Sequence, residues 1–88
     1  MAWLIRIEKN ATKALSKLSR SDQTRILNFL ETNVASRSNP REIGAPLTGP
    51  LAGLWKYRVS DYRVIARIED EQVVILVLRI GNRREVYR

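Results

Sequence analysis

The sequence predicts an α+β fold in the order β-αα-βββ. A helical hairpin packs on one face of a mostly antiparallel four-stranded sheet. Three observations predict it. Residues 54–67 alternate apolar or aromatic side chains with basic ones on both sides of Ser60 and Asp61. Two stretches with helical spacing follow one another between residues 10 and 35, joined by a short link. An unbroken apolar run, residues 73–78, reads as a central strand covered on both faces. With 88 residues and 44% hydrophobic content, one domain over 1–88 with one core is expected.

Each element has its own signal. In residues 3–8, Trp3, Ile5 and Ile7 point one way and Leu4, Arg6 and Glu8 the other, as in a strand. Trp3 reads as a core or interface aromatic. Asn10 is placed to cap the first helix, whose buried stripe is Ala11, Ala14, Leu15 and Leu18. Ser19, with Asp22 three residues on, forms a partial capping box for the second helix. That helix should bury Ile26, Leu27, Phe29, Leu30 and Val34 and end before Pro40. Residues 39–53 hold all three prolines and three of the four glycines, so they read as irregular, with Leu47 and Leu51 as anchors. A second hairpin turns at Asp70 and Glu71, and Gly81-Asn82 should break the last central strand.

Composition excludes several functions. There is no cysteine, hence no disulfide or thiolate metal site, and no histidine, hence no Ser-His-Asp or Cys-His arrangement. No cofactor or metal is expected. No apolar run reaches the length of a membrane span and no signal segment opens the chain, so a cytoplasmic protein is expected. Sixteen Lys and Arg against nine acids give +7, which for so small a domain points to a polyanion, usually nucleic acid.

The basic residues are not scattered. A two-residue turn at Ser60-Asp61 sets Val59 against Tyr62, Arg58 against Arg63, Tyr57 against Val64 and Lys56 against Ile65. Trp55, Tyr57, Val59, Tyr62, Val64 and Ala66 then share one face, and Lys56, Arg58, Arg63 and Arg67 the other. Like charges directly opposite one another destabilise a hairpin. Arg58 against Arg63 is therefore a local defect unless an anion sits between them. A phosphate suits two planar guanidinium forks. The competing reading is a merely solvated basic face. Lys13 and Lys17 lie four apart on the first helix, with Lys9 and Arg20 roughly extending the row. That row is either a solvated face or a seat for a phosphate backbone.

Taken together, the residues resemble a known family. The β-αα-βββ order, Leu47-Thr48-Gly49, residues 54–59, Asp61-Tyr62-Arg63, Ile80-Gly81-Asn82-Arg83 and the terminal Val86-Tyr87 are similar to the RelE/ParE toxins of bacterial type II toxin–antitoxin systems. The likeness spans nearly the whole chain. It implies the RelE-like microbial RNase fold, a cognate RelB-like antitoxin and no obligate homo-oligomer. RelE-like members are ribosome-dependent endoribonucleases that cut mRNA in the decoding A site. ParE-like members share the fold, inhibit DNA gyrase and generally lack the catalytic set. Lys56, Arg58, Arg63, Arg83 and Tyr87 stand at the positions of the RelE catalytic set, with Arg58 where Lys is frequent. Lys13, Lys17, Arg20, Arg67 and Arg84 are the further candidates for RNA contact.

The chemistry implied is metal-independent. The RNA's own 2′-OH attacks the adjacent phosphorus, leaving a 2′,3′-cyclic phosphate and a 5′-OH. Arg58 and Arg63 are assigned to the charge that develops on the phosphorane. Arg, always protonated, is a very poor base; Lys56, among like charges, is the better candidate. The resemblance puts Arg83 near the leaving oxygen. Tyr87 either stacks on and orients a base or shuttles a proton.

Overall fold

The computed structural model describes residues 2–82. It contains strand β1 (Leu4–Ile7), helices α1 (Lys9–Ser16) and α2 (Arg20–Phe29), and strands β2 (Ala45–Pro46), β3 (Trp55–Val59), β4 (Tyr62–Glu69) and β5 (Val74–Asn82). The sheet order is β1-β5-β4-β3-β2. β1 runs parallel to β5, and the other pairs are antiparallel. The two-residue β2 adds a fifth strand inside the stretch expected to be irregular.

Both helices pack on one face of the sheet. Their apolar stripes, Ala11 and Leu15 on α1 and Ile26 on α2, meet Tyr57, Val59, Val64, Ala66, Ile75, Val77 and Ile80 in one buried cluster. Leu30 and Val34 join it from the π-helical turn Leu30–Ala35 that continues α2. Leu27, expected in the core, is 38% exposed, because its position turns away from the sheet. Tyr57, fully buried, meets Phe29 edge-on at a centroid distance of 6.4 Å. No helix of the described residues covers the opposite face, and Leu4 there is 55% exposed. The apolar run in β5 is therefore helix-covered on one side only. Ile65 on the open face is nonetheless buried, flanked across the strands by Lys56 and Arg79. Aliphatic stems at such positions shield an apolar neighbour while their charges stay in water.

Three local details differ from the sequence expectation. The cap of α1 is Glu8, whose carboxylate accepts the Asn10 N–H at 2.8 Å; Asn10 is already helical. A carboxylate there also complements the helix dipole. At α2, Ser19 Oγ accepts from the Asp22 N–H as expected, but the Asp22 carboxylate accepts instead from the Tyr62 hydroxyl at 2.8 Å. Finally, β5 runs through Gly81 to Asn82. Its pairing slips by one residue at Leu78, so Ala66 faces Val77 while Ile65 faces Arg79. That bulge lets Ile80 return to the helix face and sets Gly81 opposite Arg63.

Candidate functional site

The site is built on the β3–β4 hairpin. Its register is the one the alternation dictates: Val59 faces Tyr62, Arg58 faces Arg63, Tyr57 faces Val64 and Lys56 faces Ile65. Ser60 takes φ 56°, the left-handed conformation that tight two-residue hairpin turns require. In such a hairpin the pair next to the closing one is not hydrogen-bonded, and its Cα atoms lie about 4.5 Å apart. Arg58 and Arg63 occupy that pair. Their side chains rise together from the open face, with Gly81 beside Arg63 contributing no side chain.

Lys56, Arg58 and Arg63 line one cleft of about 270 Å³, closed on its outer side by Gly44 and Ala45. The wall exists because the loop before β2 can approach β3 closely. Gly44 has φ 78°, and a Cβ there would overlap the Lys56 carbonyl and lie 2.7 Å from Trp55 Nε1. Only glycine fits. Three bonds hold the loop: Trp55 Nε1 donates to the Ile43 carbonyl (2.8 Å), the Tyr57 hydroxyl to the Pro40 carbonyl (2.8 Å), and the Leu47 N–H to the Leu54 carbonyl (3.0 Å). Burial pushes the Tyr57 hydroxyl up to about 12 against a smaller opposing pull from Arg41, so it stays a donor. Ile43 and Pro40, more than Leu47 and Leu51, anchor this loop: Pro40 is buried and Ile43 packs on the core.

The cleft's cations have no carboxylate partner among the described residues. The ion pairs found there are Arg37–Glu42, Arg41–Asp70 and Arg67–Glu69. Arg63 donates one long bond, 3.3 Å, to the Tyr62 carbonyl, so most of its fork is unused among the described residues. Two guanidinium groups and an ammonium in one open, partly walled cleft can bind a phosphate diester and stabilise added charge on it.

The other candidates sit elsewhere. Arg67 is exposed on the same open face, 3.4 Å from Glu69 and four residues from Arg63, about 13 Å along the strand. Lys13 and Lys17 are exposed on the α1 side, and Arg20 opens α2. They belong to the helical side of the sheet, away from the cleft. Arg83, Arg84 and Tyr87 lie outside the described residues. Sequence reasoning missed Gly44 and Ala45 as cleft wall. The available signal was a glycine just before Ala45-Pro46, in a stretch dismissed as irregular.

Comparison with known proteins agrees with this architecture. A family model described as the ParE toxin of the type II toxin–antitoxin system parDE matches residues 5–87. The chain is 30% identical to Toxin RelG of Mycobacterium tuberculosis over 88 residues, which cover 100% of this chain and 99% of that protein. Its fold superposes on the toxin of the RelBE2 toxin–antitoxin complex of M. tuberculosis with a TM-score of 0.85 and 27% identity, covering 97% of this chain and 95% of that one. The isolated E. coli RelE toxin gives a TM-score of 0.73 and 26% identity, covering 98% and 92%. With the family model matching nearly its whole length, the chain belongs to the RelE/ParE superfamily of type II toxin–antitoxin toxins.

Proposed function

We propose that this toxin is a ribosome-dependent endoribonuclease that cuts mRNA in the A site. The observation that carries the reading is the cleft itself: Lys56, Arg58 and Arg63 together, with no carboxylate paired to them among the described residues. In the proposed step the 2′-OH gives its proton to a base, for which Lys56 is the candidate. The 2′-oxygen bonds to phosphorus, and Arg58 and Arg63 bind the non-bridging oxygens as charge builds. The bond from phosphorus to the 5′-oxygen breaks, and that oxygen takes up a proton. A 2′,3′-cyclic phosphate and a 5′-OH remain. Arg83 is assigned to the leaving oxygen and Tyr87 to base stacking or proton transfer. Such a set, without histidine, relies on its large partner to hold the RNA in line.

Several structural neighbours are toxin–antitoxin complexes, some with antitoxins named RelB. The proposed regulator of this chain is likewise a small RelB-like antitoxin, working in the cytoplasm. Its binding segment is disordered when free and wraps the domain. It buries apolar side chains against α1 and α2 and sets acidic groups near Arg58, Arg63 and Arg83.

The ParE description of the matching family model favours a second reading, inhibition of DNA gyrase without nuclease activity. Purified protein added to programmed ribosomes separates the two. Primer extension detects codon-phased breaks for the nuclease, with naked RNA left nearly intact. A blocked gyrase supercoiling assay with uncut mRNA selects the second reading.

A further inference from the structure

On the helical side of the sheet a second, larger groove of about 600 Å³ runs between α2 and the outer edge of β3, and the activity just proposed does not use it. β2 pairs only with Trp55 and Lys56, so the edge of β3 beyond Lys56 has no strand partner among the described residues. Facing it, α2 presents Ser21, Thr24, Arg25 and Asn28, a stripe at helical spacing that is neither apolar nor densely charged. The π-helical turn adds Thr32 and Asn33. Thr32 Oγ1 lies 2.6 Å from the Asn28 carbonyl and 2.8 Å from the Asn33 side-chain oxygen, which fixes this end of the groove. The Asn28 side chain has no partner among the described residues and is exposed. Arg25 reaches Ser60 Oγ at 3.5 Å, bridging helix and hairpin. No carboxylate of the described residues lines the groove; nearby Asp22 is taken up by Tyr62.

Arg58, on the outer edge of β3, lines both this groove on the helical side and the Lys56–Arg63 cleft on the open face. A nucleic acid strand with one phosphate held at Arg58 and Arg63 would reach the groove by passing round that edge with its neighbouring nucleotide. Amide side chains carry a donor and an acceptor side by side and match the edge of an unpaired base. Arg25 and Arg58 supply charge for the adjoining phosphate. We propose that the groove between α2 and β3 is a second nucleotide subsite, in which Asn28 and Asn33 read a base next to the scissile bond while Arg25 holds its phosphate. The inference rests on the cleavage reading above and adds a source of sequence preference within the toxin.

The test has two arms. In the first, the isotope-labelled full chain is titrated with a non-cleavable 2′-O-methyl tetranucleotide and followed by NMR. The side-chain amide signals of Asn28 and Asn33 should move in the same concentration range as the Arg58 and Arg63 Nε–H signals. Movement of the arginines with silent asparagines overturns the subsite and leaves the cleavage reading standing. A hexaglutamate peptide that moves the asparagine signals when the oligonucleotide does not makes the groove a peptide site and overturns the proposal too. In the second arm, Asn28→Ala/Asn33→Ala and Arg25→Ala are assayed on programmed ribosomes carrying a pool of codons. Cutting at the preferred bases should fall roughly tenfold, the size of one lost base-edge pair, while disfavoured sites hold. Arg25→Lys should restore most of the Arg25→Ala loss. Equal losses at all sites with a lowered Tm indicate a structural role, and an unchanged cut-site distribution likewise overturns the proposal. If the wild type cuts nothing, the cleavage reading has failed, and the titration decides the groove.

Discussion

Arg41 and Arg63 are the same residue type in opposite circumstances. Arg41 grips Asp70 with both arms of its fork, at 2.9 and 2.7 Å, and ties the loop after α2 to the β4–β5 turn. The shared hydrogen bond holds the Asp70 carboxyl below and the Arg41 guanidinium above their ordinary values. Arg63 faces another arginine and, among the described residues, has only a backbone carbonyl at 3.3 Å. Within one small domain, one guanidinium is completed by a carboxylate and the other has no carboxylate partner among the described residues. The clamp region spends its charges on holding the fold. The cleft holds like charges together, an arrangement that disfavours the fold and that the proposed phosphate would offset.

The largest expected effect breaks this contrast at the cleft. Arg63→Ala should lower mRNA cleavage by about 10²–10³-fold, the range for loss of one preorganised charge donor at a reacting centre. Its Tm should hold or rise slightly, since Arg58 loses a like-charged neighbour. A large fall in Tm would make Arg63 structural.

Next come the residues that hold the cleft wall. Tyr57→Phe leaves the Pro40 carbonyl without its donor and should cost about 1–3 kcal/mol in denaturant unfolding. The same residue predicts an alkaline limb. Its hydroxyl is pushed up to about 12 in the fold against about 10 when exposed. Above about 10 the folded chain keeps a proton that the unfolded chain has lost, so stability is whole below that pH and falls as pH rises toward 12. Tyr57→Phe should flatten this limb. Gly44→Ala should lower both Tm and cleavage, because the new methyl group meets the Lys56 carbonyl.

On the other side of the contrast, Arg41→Ala should lower stability modestly and leave the chemistry of bound RNA alone. Asp70 has its value depressed in the fold, so its contribution is present above the ordinary carboxylate range and lost as pH falls through it. Acid titrations of wild type and Arg41→Ala should diverge at neutral pH and converge in acid. The bridge is exposed, so the divergence is small.

The smallest effect concerns Lys13 and Lys17 on the far face. Changing both to Ala should reduce the slope of log binding constant against log salt by at most about 2, with the cleavage step itself unchanged. An identical slope would return them to a solvated face.

The parts of this molecule legible in the sequence are those governed by period. Alternation has period 2, and a slip of one residue would have buried Lys56, Arg58 and Arg63 while exposing Tyr57 and Val64, so the hairpin register had a single solution. The helical stripe Ala11, Leu15, Ile26 and Leu30 was legible for the same reason. What escaped depends on contacts between distant residues. Asp22 looked like half of a capping box, yet Tyr62, forty residues on, takes its carboxylate. Glu8 caps in place of Asn10 because the helix already begins at Lys9, which puts Asn10 inside the first turn as the donor. Gly81 read as a stop signal, but it is tolerated inside β5, where the bulge at Leu78 has already reset the faces. The wall residues Gly44 and Ala45 carry no motif; a close approach to the Lys56 carbonyl gives them their role.

The central claim is that the unpaired cations of the cleft serve RNA cleavage while the paired ones serve the fold. The most direct measurement maps the ends of mRNA on programmed ribosomes after adding wild type, Arg63→Ala or Arg41→Ala, and identifies the chemistry of those ends. The account predicts matching breaks with 2′,3′-cyclic phosphate and 5′-OH ends for wild type and Arg41→Ala, and intact mRNA for Arg63→Ala at an unchanged Tm. It is contradicted if Arg41→Ala loses cleavage as fully as Arg63→Ala does while still folded, or if the wild type leaves mRNA intact and blocks gyrase supercoiling.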